Sequence, residues 1–472
     1  MEDQFIKEGE GQQSPISHED ALNASQREAV YFNDGYLLVI AGAGSGKTRT
    51  LTYRVARLVE DGVSPRAILL LTFTRKAAAE MVRRAVDLLD VRCQRVSGGT
   101  FHSLANMLLR RYASRIGFDN GFGILDRADA ESLVGMLRKE NADVSKFDSF
   151  PKKGTLVSIF SRAVNKVISV EDEIYQHYPH LESHMETMLA ICETYKQRKI
   201  ELQYLDYDDL LVWLKMLLAE HPDIRDKISS SYRYIMVDEY QDTNKIQADI
   251  IHRLSFCNRN VMAVGDDSQS IYAFRGANFK NIMTFPDIFP GTRIVRLEEN
   301  YRSVQPILDL TNDLIDKAKE KYTKNLFTRR TGGSTPQLVE ARSENDQSRF
   351  IIDTIMERYR DGIPFQEIAV LFRAGFHSFD LEIELNREGI GFIKYGGFKF
   401  MESAHIKDFL AHLRVLLNTN DRISWHRILL VLDKVGPQTA DKIFRTIVEE
   451  NAGTMGLVSV KPKAGWAKGF ER

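Results

Sequence analysis

The feature that most constrains this chain is a glycine-rich segment between an apolar run and an amphipathic helical pattern. Residues 41–48 read Ala-Gly-Ala-Gly-Ser-Gly-Lys-Thr, the apolar run before them is residues 36–41, and the helical pattern is residues 49–60. A loop of this composition between a strand and a helix points backbone N–H groups at phosphate oxygens. The segment therefore predicts a phosphate-binding loop in an α/β sheet. Its first residue is alanine rather than glycine, so an ordinary glycine-rich turn is the alternative.

The last two residues of the segment predict the ligand. In a phosphate-binding loop the lysine reaches the β- and γ-phosphates of ATP, and the hydroxyl residue after it ligates Mg²⁺. These roles fall to Lys47 and Thr48, so ATP and Mg²⁺ are the expected ligands. The loop residues expected to bind the nucleotide are Ala41, Gly42, Ala43, Gly44, Ser45, Gly46, Lys47 and Thr48.

An acidic segment follows another apolar run, at residues 234–237. It reads Asp-Glu-Tyr-Gln-Asp over residues 238–242. Open parallel sheets bind their ligands at the carboxyl ends of the strands, so we expect this segment to lie beside the phosphate loop. There Asp238 would hold Mg²⁺, and Glu239 would position and deprotonate the attacking water. The alternative is that both carboxylates cap the N-terminus of a helix.

Composition limits the class of protein. The length of 472 residues suggests about three domains. The three cysteines, Cys93, Cys192 and Cys257, form no Cys-x-x-Cys pair, which indicates neither a zinc framework nor a disulfide scaffold. The net charge of −1 does not indicate nucleic-acid binding, although a local basic groove would suffice for it. Residues 1–20 are polar and no apolar run is long enough to span a membrane, so we expect a disordered leader and a cytoplasmic protein.

The alternation of apolar runs and helical patterns predicts an α/β fold with a helical insertion. The predicted strands are residues 36–41, 67–73, 234–237, 261–264, 294–297 and 367–372. The predicted helices of the insertion include residues 131–140, 181–199 and 210–219. The predicted domains are a first core at 21–110 and 226–298, the insertion at 111–225, a second, incomplete core at 299–397, and the start of another helical insertion at 398–472.

Several segments, taken in order, resemble the motifs of UvrD/Rep/PcrA-type superfamily 1 DNA helicases. The Asp-Glu-x-Gln-Asp form at residues 238–242 is specific to that superfamily. The resemblance implies that both α/β cores are RecA-like, the first being a P-loop NTPase core and the second an incomplete one. The segments that carry it are residues 22–29, 41–48, 71–78, 99–103, 238–242, 264–276 and 299–303.

The resemblance also implies further nucleotide contacts. Gln26 matches the glutamine that reads adenine, Arg49 would lie close to the nucleotide, and Tyr301 would stack on the adenine. Gln269 matches the residue that senses the γ-phosphate and links it to the DNA groove, and Arg302 matches an arginine that reaches the γ-phosphate from the second core. Such an arginine contributes about 10³–10⁵ in rate. The expected catalytic residues are Lys47, Glu239, Gln269 and Arg302.

Six positions match those that line the single-strand track of the family. Flat side chains stack on bases at about 1–3 kcal/mol each without reading sequence, while hydroxyl and guanidinium groups hold phosphates. For Phe73, a place in a buried aromatic core is the alternative. Phe274 stands where the family usually has tryptophan. The six positions are Thr72, Phe73, His102, Tyr272, Phe274 and Arg275.

Three further patterns have competing interpretations. Residues 394–402 resemble the segment that enters the fourth domain of the family. Residues 434–440 resemble half of a helix-hairpin-helix, but an ordinary connection between helices explains them equally well. Asp206, Asp208 and Asp209 resemble a minor family motif, and helix capping explains them too.

The resemblance implies an ATP-dependent helicase that moves 3′ to 5′ on single-stranded DNA and acts at duplex/single-strand junctions in repair or replication. Two later segments of the family pattern, one lysine-glycine and one arginine-rich, are not found in residues 453–472. We therefore expect the chain to bind MgATP and single-stranded DNA but to hydrolyse ATP slowly unless another chain supplies those segments. The alternatives are an ATP-gated module that binds single-stranded DNA without motor activity, and the helicase part of a helicase-nuclease.

Overall fold

A computed structural model gives the fold of most of the chain. Residues 1–20, the predicted leader, lie outside the residues that it describes. Within the described part, no helix is long and apolar enough to cross a membrane. The described residues are 21–119, 121–141, 150–271, 280–395, 404–432 and 435–449.

The chain divides into two compact units, Met1–Pro336 and Gln337–Arg472. The first contains the two sheets. Its strands are β1 Tyr36–Ala41, β2 Ile68–Thr72, β3 Ser97–Thr100, β4 Gly123–Leu125, β5 Tyr204–Asp206, β6 Tyr234–Val237, β7 Val261–Gly265 and β8 Arg293–Leu297. Six of them form one parallel sheet in the order β3-β2-β6-β7-β1-β8, and β4 pairs with β5 in a second parallel sheet.

Helices surround the large sheet and form the insertion. In the first unit they are α1 Ala24–Tyr31, α2 Lys47–Glu60, α3 Arg75–Leu88, α4 Phe101–Arg111, α5 Arg127–Glu140, α6 Lys153–Lys166, α7 Val170–His177, α8 Met185–Glu201, α9 Tyr207–Glu220, α10 Pro222–Ser231, α11 Lys245–Leu254, α12 Lys280–Met283, α13 Phe285–Ile288 and α14 Gln305–Asp316. In the second unit they are α15 Glu344–Arg360, α16 Phe379–Arg387, α17 Ala404–Leu417, α18 Arg422–Leu429 and α19 Pro437–Glu449.

The central strands read as continuous apolar runs because both faces of the sheet are covered. Along β1, Leu38 and Ile40 pack into the cluster on one face, whereas Leu37 and Val39 pack into the cluster on the other. This division follows from the alternation of side chains along a strand. Five of the predicted strands are confirmed to within one residue at each end.

Two strand pairings were not predicted from the sequence. The edge strand β3 has the sequence Ser-Gly-Gly-Thr, which has low strand propensity, and it is held by parallel pairing with β2. In the insertion, β4 and β5 have only three residues each. The first residue of β4, Gly123, lies against the ring of Tyr204 on β5, and a Cβ at this position would collide with that ring. The pairing therefore requires glycine here. Both pairings therefore depend on tertiary contacts that a short sequence window does not contain.

The predicted strand at residues 367–372 is wrong. Residues Phe365–Glu367 form a 3-10 helix, and residues 368–372 follow without a strand partner. Leu371 is 93% exposed, so the run is not part of a buried sheet. A strand needs a neighbour to accept and donate its backbone hydrogen bonds, and the described residues of the second unit include no strand.

The second unit has its own small core in its described part. Ile352 and Ile355 of α15 pack with Leu381 and Leu385 of α16. A further cluster joins residues of α17, α18 and α19, among them Trp425. The segment at residues 394–402 and the hairpin-like segment at 434–440 lie partly outside the described residues. The predicted domain boundaries stay predictions.

Aspartates of the insertion cap α9. The Asp206 carboxylate accepts a hydrogen bond from the Asp209 N–H (2.9 Å), and the Asp209 carboxylate accepts one from the Asp206 N–H (3.0 Å). Asp208 accepts a hydrogen bond from the side chain of Asn165 (2.7 Å). The capping interpretation of this segment is therefore confirmed for Asp206 and Asp209. Lys199 is buried between the two caps, with its Nζ 2.5 Å from a carboxylate oxygen of each.

We expect the Lys199→Met variant to be strongly destabilised, because it leaves Asp206 and Asp209 buried without their cation. Removing one partner of a buried ion pair costs about 3–5 kcal/mol. The free energy of unfolding, measured by urea denaturation, should fall by about that amount.

The matched control is Lys196→Met, one turn away on the same helix. Lys196 is 56% exposed and its pair with Glu193 lies at the surface, where such pairs contribute about 0–1 kcal/mol. Equal losses in the two variants would contradict a structural role for the buried pair.

Candidate nucleotide site

The polar segments that stand out in the sequence follow strands that are neighbours in the sheet. β1 lies between β7 and β8, and β6 is the other neighbour of β7. Because these strands are parallel, their carboxyl ends meet at one edge. Four segments therefore lie side by side: residues 41–48 after β1, 238–242 after β6, 266–269 after β7 and 299–303 after β8.

The phosphate loop depends on its glycines for two reasons. Gly44 and Gly46 have φ values of +74° and +88°, in the left-handed region that favours glycine. In addition, a Cβ at Gly44 would lie 2.7 Å from the Cβ of Arg302. The Ser45 hydroxyl donates to the Gly42 carbonyl (2.8 Å) inside the loop. Helix α2 begins at Lys47, as a phosphate-binding loop requires.

Asn300 fastens the segment after β8 to the phosphate loop. Its side-chain N–H donates to the Ala43 carbonyl (2.5 Å), while its Oδ1 accepts from the backbone N–H groups of Arg302 (2.8 Å) and Ser303 (2.7 Å). The Tyr301 N–H donates to the Gly44 carbonyl (2.9 Å). These bonds place Arg302 beside the loop. Asn300 was not among the predicted site residues, although it lies inside residues 299–303, which resemble a family motif.

Three charged groups converge where β1 and β6 end. The Nζ of Lys47 lies 3.3 Å from Oε2 of Glu239. Asp238 is buried, and its Oδ1, like the Lys47 Nζ, makes no hydrogen bond within the described part of the chain. Burial, and then the charge of Glu239, raises the pKa of Asp238 to about 7. A buried carboxylate with a spare oxygen, which lines the same cleft as Thr48, suits Mg²⁺, because Mg²⁺ takes oxygen ligands from one or two carboxylates and from phosphates.

Glu239 has an unusual backbone conformation. Its φ and ψ are both +49°, in the left-handed region, which is costly for a residue with a side chain. The Gln241 side chain donates to Oε2 of Glu239 (2.9 Å) and helps to fix the carboxylate. Glu239 makes no side-chain cap to the short 3-10 helix that follows, so the capping alternative is wrong for Glu239. Strain of this kind is maintained where the surrounding structure requires it, as it is at many functional sites.

The predicted adenine contacts have protein partners of their own. Gln26 is buried, accepts a hydrogen bond from the Asn23 N–H (3.2 Å) and donates to the Ser45 carbonyl (3.0 Å). Gln26 thus links the N-terminus of α1 to the phosphate loop. Tyr301 is half exposed, and its hydroxyl accepts from the Asn23 side chain (2.9 Å). Arg49 is exposed, and the Cζ of its guanidinium group lies 5.5 Å from the centre of the Tyr53 ring.

Gln269 is held by a buried ionic cluster. Its side chain donates to Oδ2 of Asp266 (2.7 Å). Lys324, which is not a predicted site residue, pairs with Asp266 and with Asp267. Burial raises the pKa of Asp266, but Lys324 and the hydrogen bond from Gln269 lower it more, so the net pKa is below its usual value. No pattern in the sequence around Lys324 indicates that this lysine is buried.

The predicted DNA-contacting residues lie in part at the same edge of the sheet. Phe73, directly after β2, is 42% exposed, so the buried-core alternative is wrong for it. His102 lies at the start of α4, and burial lowers its pKa. Thr72 is buried, and its hydroxyl donates to the Thr74 carbonyl (2.7 Å). The other three predicted contacts, Tyr272, Phe274 and Arg275, lie outside the described residues.

A cleft of about 450 Å³ opens beside the acidic segment. It joins the two groups of predicted residues, because its walls include Thr48 and Glu239 from the nucleotide side and Phe73 from the DNA side. Gln269 also lines it. The cleft gives solvent and small ligands access to the carboxylates.

We expect the Gly44→Ala variant to be destabilised by steric contact in addition to backbone strain. A left-handed alanine costs about 1–2 kcal/mol, and overpacking against Arg302 and Asn300 adds about 1–3 kcal/mol. Urea denaturation measures the total.

Gly62→Ala is the matched control for this variant. Its φ is +87°, but a Cβ there meets nothing within 4 Å, so it reports backbone strain alone. Equal losses in the two variants would mean that the segment after β8 does not press on the loop in solution.

Two family models match the chain. The one described as "UvrD/REP helicase N-terminal domain" matches residues 22–290, a range that contains the phosphate loop and the acidic segment. The one described as "UvrD-like helicase C-terminal domain" matches residues 295–457. The first match alone covers more than half of the chain.

The curated relatives agree with these models. Proteins named "ATP-dependent DNA helicase PcrA" from Staphylococcus epidermidis (strain RP62A) and from Staphylococcus aureus (strain NCTC 8325) are each 36% identical to this chain over 433 residues. The match covers 91% of this chain and 58% of each relative, so the chain spans little more than half of their length. With the phosphate loop, the acidic pair and the anchored 299–303 segment at one edge of a parallel sheet, this chain belongs to the UvrD/REP helicase family.

Proposed function

We propose that this chain binds MgATP at the carboxyl edge of its parallel sheet and acts as part of an ATP-dependent DNA helicase. The observation that carries the proposal is the convergence of Lys47, Asp238 and Glu239. Lys47 and Asp238 each have a buried polar atom that makes no hydrogen bond to any residue that the structure describes. Membership of the UvrD/REP family supports it. The name of the PcrA relatives supports the same activity.

The residues of the site divide the chemistry of hydrolysis between them. Lys47 neutralises phosphate charge, and Asp238 with Thr48 would hold Mg²⁺, which neutralises charge on the β- and γ-phosphates when it is bound. Glu239 orients the attacking water and accepts its proton, while the Gln241 amide holds the carboxylate in place. Arg302, beside the loop, stabilises the charge that develops on the γ-phosphate.

We further propose that single-stranded DNA binds along the edge where β2 and β3 end. The exposed ring of Phe73, directly after β2, offers a stacking surface for bases, and His102 lies just after β3, the neighbour of β2 in the sheet. Gln269 lines the same cleft as Phe73 and Glu239. It therefore lies between the proposed binding edge for single-stranded DNA and the proposed nucleotide site. Movement 3′ to 5′, action at duplex/single-strand junctions, a role in repair or replication, and a cytoplasmic location complete the proposal.

We expect Glu239→Gln to reduce ATP hydrolysis about 10²–10⁴-fold, because glutamine cannot accept the proton of the attacking water. MgATP affinity should change little. Single-turnover hydrolysis and equilibrium nucleotide binding, both with single-stranded DNA present, give the two values. Glu201→Gln is the control, since Glu201 is 65% exposed and lies at the end of α8. Unchanged hydrolysis in Glu239→Gln would exclude Glu239 as the general base.

We expect the Arg302→Ala variant to bind MgATP and DNA as the wild type does, but to hydrolyse ATP about 10³–10⁵-fold more slowly and to unwind no duplex. The rates of ATP hydrolysis and of duplex unwinding are measured for wild type and variant on duplexes with a 3′ or a 5′ single-stranded tail. Arg358→Ala, an exposed arginine of the second unit, is the control.

The same substrates separate the motor from its alternative. Unwinding of 3′-tailed but not 5′-tailed duplex supports the proposed helicase. A wild-type chain that changes its DNA affinity with MgATP yet unwinds neither duplex would instead indicate an ATP-gated binding module.

A further inference from the structure

We propose that Lys324 is a positioning residue that makes the site responsive to the γ-phosphate, through Asp266. This inference rests on the proposed function. Lys324 follows α14 and has no predicted role in the nucleotide site, yet its side chain is only 4% exposed. It pairs with the two consecutive carboxylates that follow β7, at 2.7 Å from Asp267 Oδ1 and in close contact with Asp266.

Asp266 connects this lysine to two of the predicted catalytic side chains, Gln269 and Glu239. Its carboxylate accepts hydrogen bonds from the Gln269 amide (2.7 Å) and the Ser268 N–H (3.0 Å). Its backbone N–H donates to Oε1 of Gln241 (2.9 Å), and the other end of that amide donates to Oε2 of Glu239 (2.9 Å). One buried amide thus joins the loop after β7 to the carboxylate after β6.

The chain around Lys324 is fixed to the phosphate loop as well. The Tyr322 N–H donates to Asp267 (3.3 Å), and the Asn325 N–H donates to Glu298 (2.9 Å). Leu326 packs so closely on the phosphate loop that a Cβ at Gly42 would collide with it. Residues 322–327 therefore contact the loop after β7 at one end and the phosphate loop at the other.

The charge balance explains why a cation is needed at this position. Asp266 and Asp267 are each 3% exposed on the side chain, so both carboxylates depend on nearby positive charge. Asp266 is also within electrostatic range of Lys47. Without Lys324, uncompensated negative charge would lie next to the expected γ-phosphate position, and Gln269 would lose its fixed acceptor. Both effects disfavour a triphosphate more than a diphosphate.

The test measures nucleotide discrimination rather than turnover. The affinities of the full chain for Mg-ATPγS and Mg-ADP are compared in wild type, Lys324→Met and Lys324→Arg. We expect Lys324→Met to lose about 10-fold in ATPγS affinity, within the usual range of coupling between sites, with ADP affinity changed less than about twofold. Lys324→Arg should recover most of the ATPγS affinity, because it restores the cation.

Two further variants keep the result decisive. Lys199→Met removes a buried lysine from two carboxylates in the insertion, so it controls for loss of stability, and it should leave the ATPγS-to-ADP ratio unchanged. Asp266→Asn keeps the size of the side chain and the Lys324 cation but weakens the acceptor for Gln269. Removal of the Asp266 charge by itself favours a triphosphate, so a selective loss of ATPγS affinity in this variant reports the positioning of Gln269, and it is the expected result even if Lys324→Met does not fold.

The outcomes distinguish this inference from the function on which it rests. Equal losses for ATPγS and ADP, or an unchanged ratio in both Lys324→Met and Asp266→Asn, would overturn the positioning role while leaving the nucleotide site intact. A wild-type chain that binds neither nucleotide would overturn the proposed function, and this inference with it.

Discussion

The parallel pairing of β1 with β7 and β8 is the constraint on which the rest of the site depends. In register, Ile40 lies opposite Gly265, and Ala41 lies opposite Leu297. The three strands therefore end at the same level, and the segments that follow them can touch. The hydrogen bonds of Asn300 to the phosphate loop and the approach of Leu326 to Gly42 are possible only at this level.

Buried charge at this edge is arranged for geometry more than for stability. Ion pairs taken out of water gain little net free energy, because desolvation offsets their attraction. The buried pair of Lys324 with Asp266 and the partly exposed pair of Lys47 with Glu239 nevertheless fix where carboxylates point. The left-handed backbone of Glu239 belongs to the same arrangement, since hydrogen bonding by Gln241 compensates part of its strain.

The sequence predicted the parts of this structure that local patterns encode. Continuous apolar runs predicted five strands of the large sheet, and the glycine-lysine-threonine segment predicted the start of α2 to within two residues. Strand β3 was not predicted, because Gly98 and Gly99 have low strand propensity and the segment becomes a strand only through its pairing with β2. The run at 367–372 has strand propensity but no partner in the described chain.

The site residues also divide into those that a local pattern encodes and those that depend on tertiary contacts. Lys47, Asp238 and Glu239 were predicted to be site residues because each lies a few positions after an apolar run that predicts a strand. Lys324 and the acceptor role of Asp266 were not, because they arise when residues far apart in the chain meet. The partners of Gln26 likewise became evident only from the contact between α1 and the phosphate loop.

The sheet topology also has a consequence for the order of folding. The phosphate loop is made early in synthesis, but both neighbours of β1 lie beyond the whole helical insertion: Tyr36 pairs with Val261, and Leu37 pairs with Arg293. Closing such a long loop costs chain entropy before any ladder hydrogen bond repays it, and contacts distant in sequence form slowly. Within the insertion, α5 and α6 are close in sequence and pack on each other, so they can form earlier. The nucleotide site is therefore among the last parts of the first unit to form, and a nascent chain that has not reached β8 has no complete site to bind ATP.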